Sequence, residues 1–462
     1  MLFRVAEKIT IEDCDESLKR RLSTNLTFDN PEYIKKLRMG KWVGGTPPTI
    51  SLMERNGANI IVPFGLLKEL WSEYRDKAVW RHSLQNGAQS FDFKSGINLY
   101  PYQQKAVTAA LRAKQGIIVA PCGSGKTMIG LQLAAMIGGK TLWLTHTTDL
   151  LYQSMERAKA YFDLKPEDYG TITGGKIDIG NVITFATVQT MANIDPKAVR
   201  DTFCTVIVDE CHHVCGGPTK LMMFYKVISS LAARYKYGLT ATPKRSDGLT
   251  ACMYALLGPK AYEIDAESVE DYTCKVKAEI RHTLTVPDMR QATNPDGTLN
   301  YVKLINGIVE DEERNNRIVE DIAQADGSCL VLTERVAHAK RLSDMLWDRG
   351  IKNATVFAST RKAQKEERKK VLSKLNNDEI KVVIATYALA KEGLDVPRLR
   401  NLFMATPQKN DTVVTQSAGR VARKADGKTF GKLIDYCDPC YLLESWQRKR
   451  ATIYKRLGFE IE

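Results

Sequence analysis

A glycine-rich turn between an apolar strand and a helix constrains this chain more than any other stretch of it. Gly116–Ala120 reads as a short buried strand, Pro121-Cys122-Gly123-Ser124-Gly125-Lys126-Thr127 as the turn, and Met128–Ile137 as a helix stopping at Gly138-Gly139. Glycine takes the left-handed cap conformation there at little steric cost. Backbone N–H groups of such a turn converge on phosphate oxygens, and the following helix presents its positive end to them. Lys126 is placed to neutralise the outer phosphates of a bound nucleotide, and the Thr127 hydroxyl to ligate Mg2+. The pattern ordinarily opens on glycine; Ala120 stands in that position here. The bland alternative is a strand–helix turn that binds nothing, but the Gly-Lys-Thr sequence falls where phosphate chemistry requires it.

Around this turn, strands and helices alternate. Thr141–Leu144 precedes a helical Leu150–Phe162, Val182–Phe185 leads into Val188, Cys204–Val208 ends at Asp209, and Tyr235–Leu239 ends at Thr240. A second alternation runs through Cys329–Leu332, Ala337–Trp347, Thr355–Phe357, Lys381–Ala385, Leu402–Ala405 and Lys432–Ile434. Strands separated by helices imply βαβ units and a parallel sheet, so the expected class is α/β with two tandem parallel-sheet domains. Ile264–Gly327, with its turn signal Asn294-Pro295-Asp296-Gly297, reads as the connection plus an early strand pair of the second sheet. Residues before about Phe91 differ: Gly44-Gly45-Thr46-Pro47-Pro48, the strand Ile60–Val62 and the amphipathic Leu66–Trp80 point to a small α+β accessory module. The expected domains are 1–92, 93–272 and 273–462.

Composition agrees. A chain of 462 residues has room for about three domains. Its 44% hydrophobic and 26% charged residues exclude wholesale disorder. No apolar run approaches the ~18 residues of a membrane span, and Arg4, Glu7 and Lys8 interrupt what would be a signal peptide. Ten cysteines, mostly within apolar runs, read as reduced thiols, so a cytoplasmic protein is expected. The net charge of +13 favours a polyanionic partner.

Asp209-Glu210-Cys211-His212 follows the apolar Val206-Ile207-Val208. A carboxylate at the C-terminal end of a parallel strand lies on the ligand-binding edge. Asp209 would hold Mg2+ through water, and Glu210 would orient and polarise the attacking water.

With these motifs in hand, the chain resembles the superfamily 2 helicases in motif order from about Ser95 to Phe459. The resemblance implies two RecA-like domains and ATP as cofactor. It makes Leu99-Tyr100-Pro101-Tyr102-Gln103 the adenine-recognition segment, with Gln103 reading the base, and Thr240-Ala241-Thr242 the element coupling ATP state to the nucleic-acid path through Thr240 and Thr242. Ala385-Thr386 and Glu392-Gly393-Leu394-Asp395 are similar to the fifth motif, bringing Gly393 and Asp395 to the nucleotide. Gln416-Ser417-Ala418-Gly419-Arg420-Val421-Ala422-Arg423 fits the sixth. Ala241-Thr242-Pro243-Lys244-Arg245-Ser246-Asp247-Gly248-Leu249 is more particular, resembling the group of XPB, RecG and UvsW-like phage branched-DNA helicases.

A loose phosphoryl-transfer transition state spreads charge over its equatorial oxygens, which a guanidinium contacts bidentately. Arg420 and Arg423 are therefore expected to act on the γ-phosphate, with Arg423 the arginine finger, and the resemblance to the sixth motif adds Gln416 to the catalytic residues. Arg420 and Arg423 would share a helix face. The resemblance places strand contacts at His146, Thr148, Thr187 and Gln189 in the first lobe and Thr386 in the second. Hydroxyls and amides suit phosphate contacts without base information.

Tyr33, Lys35, Lys36, Arg38, Lys41 and Trp42 combine charge with aromatic rings, either a DNA-binding patch or a solvated helix face. Cys437-Asp438-Pro439-Cys440 has CxxC spacing, but a lone pair falls short of the four ligands of a closed site, and no zinc is expected. The resulting expectation is a monomeric ATP- and Mg2+-dependent DNA helicase or translocase acting on forks or Holliday junctions with 3'→5' polarity, in recombination, replication or repair. An RNA helicase, a duplex-DNA translocase of a restriction or defence complex, and a binding module with a vestigial ATPase are the alternatives.

Overall fold

The computed structural model describes every residue except 85–90, 92–93, 122, 213–217, 242–248, 266, 359–361, 392–395 and 426. Cys122, Thr242, Gly393 and Asp395 therefore lie outside the described residues. The chain divides into two compact units, Met1–Ala120 with Gly125–Ile264, and Pro121–Ser124 with Asp265–Glu462.

The first unit holds an eight-stranded sheet in the order Lys176–Asp178, Tyr169–Thr173, Ile183–Thr187, Thr141–Thr145, Thr205–Val208, Tyr235–Thr240, Gln115–Val119 and Lys260–Glu263. All pairings are parallel save that of the outermost strand, Lys176–Asp178. Its central strands are buried along their whole length, as expected of a parallel sheet covered on both faces. The order places three strands far apart in sequence side by side: Val119 pairs with Thr240, and Val208 with Gly238.

An antiparallel-rich sheet of five strands, Glu54–Asn56, Asn59–Pro63, Lys8–Glu12, Leu2–Val5 and Val79–His82, forms the amino-terminal module. The boundary expected near residue 92 separates sheets, yet the cores are continuous. Phe3, Ile9, Ile60 and Val62 belong to the same buried cluster as Ile117, Val119 and Leu142. The backbones also touch: a Cβ on Gly65 would stand 2.3 Å from Ala255 O, and Gln115 Nε2 donates to Gly65 O at 3.0 Å.

The second unit carries a seven-stranded, all-parallel sheet: Asn353–Val356, Val382–Thr386, Cys329–Thr333, Asn401–Met404, Phe430–Cys437, Lys275–His282 and Glu460–Ile461. The expected strand pair in Ile264–Gly327 is corrected. One strand, Lys275–His282, joins the sheet, followed by the helices Tyr301–Glu310 and Glu312–Gln324. Leu304, Ile305, Ile308 and Val309 are the buried positions of the first helix, a helical period rather than alternation. Asp311 caps the second by accepting from Arg314 N at 2.8 Å. The Asn294–Gly297 turn does form, with Gly297 at φ +76°, but closes a single bridge, Thr293 to Leu299.

No helix among the described residues is long and apolar enough to cross a membrane.

Candidate functional site

The phosphate-loop helix runs Lys126–Ile137, two residues earlier than its periodicity predicts, because Gly125 caps it at φ +78°. That conformation is natural only to glycine, and space enforces it further: a Cβ here would lie 2.4 Å from Gln103 Nε2. Gln103 is in turn held by its own helix, Pro101–Ala113, where Oε1 accepts from Tyr100 N at 2.9 Å in a capping box. The predicted base-reading amide thus abuts the phosphate loop. Tyr100, beside it, exposes about half its surface and stacks on Tyr102. Within the loop, Ser124 is buried, and its hydroxyl donates to Pro121 O at 2.7 Å. Gly123 also needs positive φ, at +86°.

On the next strand but one, Asp209 follows Val208 and is 6% exposed. Burial, then the charge of Glu210, pushes its carboxyl up to about 7, opposed by Lys126. Glu210 adopts φ +48°, left-handed backbone costing a non-glycine residue about 1 kcal/mol or more. Its carboxylate reaches Lys126, with Oε1 3.4 Å from Nζ. Oε2 lies 3.3 Å from His212 Nδ1, which is also 3.0 Å from Thr240 Oγ1. His212 therefore joins the carboxylate expected to activate water to the residue expected to couple nucleotide state. The spacing arguments gave it no role, although it closes the same four-residue motif. Arg157 was likewise unforeseen. It stands on the helix Thr148–Tyr161, and its Nη1 donates to Thr127 Oγ1 at 3.2 Å.

The residues present fit a magnesium nucleotide. A cradle that a Cβ would fill, a lysine at the helix start, and two hard oxygen donors, Thr127 and Asp209, match its chemistry. Among the described residues no group of three or more His, Cys, Asp or Glu converges to hold a metal ion. Cys440 Sγ lies 3.7 Å from Met289 Sδ.

Farther along the same sheet edge, Thr145 pairs with Thr187. His146 and Thr148 follow the first, and Gln189 follows the second. Gln189 Nε2 donates to His146 O at 3.0 Å, and Thr187 Oγ1 to Thr190 Oγ1 at 3.0 Å. The four first-lobe strand-contact candidates are thus brought to two neighbouring strand ends.

In the second unit, Thr386 ends the strand Val382–Thr386, paired with Thr333. Gln416 and Arg420 lie one turn apart on the helix Asp411–Val421. Among the described residues the buried Gln416 Oε1 makes no hydrogen bond. Arg423 corrects the shared-face expectation, since the helix stops at Val421 and Arg423 bridges to Thr273 in extended backbone. Buried Lys428 fixes this exit, donating to Val421 O at 2.7 Å and Arg423 O at 2.8 Å. A cation on the last carbonyls is a favourable helix end.

The amino-terminal candidates lie on and after the helix Pro31–Arg38, none of whose residues is buried. Trp42 is 82% exposed. Lys36 is engaged by Glu32 at 3.0 Å and by Thr46. Among the described residues Lys35, Arg38 and Lys41 are exposed and have no carboxylate partner.

Residues 96–245 match the family described as type III restriction enzyme, res subunit, and 313–425 the helicase conserved C-terminal domain. The chain is 28% identical over 374 residues to the DNA 3'-5' translocase XPB2 of Sulfurisphaera tokodaii, spanning 72% of this chain and 80% of that protein. To the ATP-dependent DNA helicase uvsW of Enterobacteria phage T4 it is 23% identical over 458 residues, 92% of this chain and 88% of that one. Among solved structures, S. cerevisiae Dbp5 bound to RNA and ADP BeF3 superimposes with a TM-score of 0.56 at 14% identity, over 79% of this chain and 89% of that one. This last is a likeness of fold alone.

Proposed function

The chain belongs to superfamily 2 of the helicases and translocases, and from that premise we propose that it is a DNA motor that remodels forks and four-way junctions with 3'→5' polarity. ATP hydrolysis drives it. The observation that carries the reading is a single sheet edge, where the ends of Gln115–Val119, Tyr235–Thr240 and Thr205–Val208 gather Lys126, Thr240, Asp209 and Glu210. The ends of Thr141–Thr145 and Ile183–Thr187 next to them gather the strand-contact candidates. Nucleotide and nucleic acid then act on one rigid element, which is what coupling their binding requires.

In this reading Lys126 neutralises the outer phosphates, and Thr127 and Asp209 hold Mg2+, which when bound screens the triphosphate charge. Glu210 orients and polarises the attacking water, with His212, held by Thr240, beside the carboxylate. Arg420 and Arg423 supply the positive charge that the transition state calls for, and Gln416 adds a neutral amide from the same motif. Contacts from His146, Thr148, Thr187, Gln189 and Thr386 grip a backbone without reading sequence. The exposed Trp42 with Lys35, Arg38 and Lys41 engages the branch, stacking on unpaired bases while the cations follow phosphates. The motor works in the cytoplasm as a monomer.

ATPase stimulation by single strands, duplex, fork, four-way junction and RNA at one ionic strength tests this, since salt alone moves such affinities by orders of magnitude. Strongest stimulation by branched DNA is expected; RNA as the better activator would overturn the DNA assignment. The restriction-subunit match over 96–245 favours one second reading, a duplex translocase, which would displace a triplex strand while separating few duplex strands.

A further inference from the structure

The Thr127 hydroxyl, which the reading above gives to Mg2+, already has a cationic partner. Arg157 Nη1 donates to Thr127 Oγ1 at 3.2 Å from the third turn of the helix Thr148–Tyr161. A cation therefore already holds one of the two oxygen donors assigned to the metal.

Arginine stays charged at any working pH and carries five donors on a rigid plane. A hydroxyl oxygen offers lone pairs to a donor or to a metal, and Mg2+ demands oxygens about 2.1 Å away in near-octahedral geometry. A guanidinium and a dication on the same oxygen repel each other at short range. Both cannot keep this position.

We propose that Arg157 is a positioning residue that stands in for the divalent cation, holding the Thr127 hydroxyl before magnesium nucleotide binds and yielding it on binding. The proposal rests on the nucleotide site described above. It gives the motor a reason to bind nucleotide without Mg2+, because the guanidinium then compensates phosphate charge. It also sets a cost on metal entry, because the guanidinium must move.

The helix that carries Arg157 begins at Thr148, one of the strand-contact candidates. About two and a half turns of rigid helix separate the DNA-facing end from the guanidinium.

The test is equilibrium binding of a fluorescent ADP analogue by the full chain, with Mg2+ and with EDTA, a readout independent of turnover. Arg157→Gln should weaken EDTA binding and leave Mg2+ binding equal or tighter. The ratio of the two affinities should rise by about tenfold, the size of one charge-assisted hydrogen bond. Arg157→Lys keeps the charge and should return the ratio most of the way to wild type. An unchanged ratio in an Arg157→Gln protein that melts at the wild-type temperature overturns the proposal, as does a ratio that falls. Lys126→Ala separates this from the site itself. If that variant binds the analogue as wild type does, the nucleotide site lies elsewhere and the assignment of Thr127 fails first. If it loses binding in both conditions, the ratio in Arg157→Gln speaks to Arg157 alone.

Discussion

Lys126 Nζ and Glu210 Oε1 lie 3.4 Å apart, so the lysine expected to meet phosphate and the carboxylate expected to activate water hold each other. Both side chains are largely buried, so removing either leaves the other charge without this partner. Lys126→Ala should abolish ATP hydrolysis while DNA binding, read by fluorescence anisotropy, persists. Undiminished turnover would move the site. Glu210→Gln keeps shape and loses the base: nucleotide should still bind, and hydrolysis should fall by about 10²-fold or more.

Arg423 leaves the helix that carries Gln416 and Arg420, and Lys428 pins its carbonyl. Arg423→Ala should lower kcat by about 10³-fold with nucleotide affinity little changed. A loss confined to KM would make Arg423 a binding residue. Lys428→Met should lower kcat by a smaller factor, because it frees the backbone on which the guanidinium stands.

The exposed Trp42 with Arg38 and Lys41 predicts a substrate effect. Trp42→Ala should reduce the preference for four-way junction over linear duplex by about tenfold, the worth of one stacked base, with basal ATPase intact. Equal preference in variant and wild type would return this helix to a solvated face. Point substitution is the right instrument, since removing the whole module would strip the first parallel sheet of part of its core.

Lys236 is fully buried in the strand Tyr235–Thr240, with Nζ 3.3 Å from Ile228 O, 3.4 Å from Glu7 O and 4.3 Å from the Phe64 ring centre. Burial pushes its ammonium down to about 7 from 10.5. Between those values the unfolded chain holds a proton that the folded chain lacks, so this residue makes stability rise with pH across that window and fall as pH drops toward 7. Lys236→Met should flatten that slope in thermal melts between neutral pH and the upper part of the window. An unaltered slope would show that the site stays charged.

Arg314 and Asp438 form a wholly buried pair, with Thr283 Oγ1 also donating to Asp438. Asp438→Ala should destabilise the second unit by about 3–5 kcal/mol, because it leaves a charge unpaired in the core. Replacing both partners with apolar residues should cost far less, as chemical denaturation of the single and double variants can measure.

Local patterns carried most of the fold. Apolar runs ending in Gly-Lys-Thr, Asp-Glu and Thr-Ala-Thr are short-range signals, readable because strand and helix periods and turn chemistry act over a few residues. The same kind of signal put forward Thr127 and Asp209 as oxygen donors. Strand order is different in kind. That Val119 lies beside Thr240, or Thr145 beside Thr187, is set by which faces can be buried together, and no window of sequence contains it. The region 264–327 shows the limit: its turn was legible, but its single bridge and two helices depended on what the apolar face of Tyr301–Glu310 could pack against.

The chain's sequence determined the motor class and put forward the candidate nucleotide residues, because phosphate binding needs particular residue types at fixed spacing. Tertiary structure alone decided that His212 would join Glu210 to Thr240, that Arg157 would reach Thr127 and that Arg423 would stand off its helix. Each is a contact or a chain ending made by packing between elements distant in sequence. Such contacts arise from the shape of a filled core, which spacing along a strand or helix does not encode.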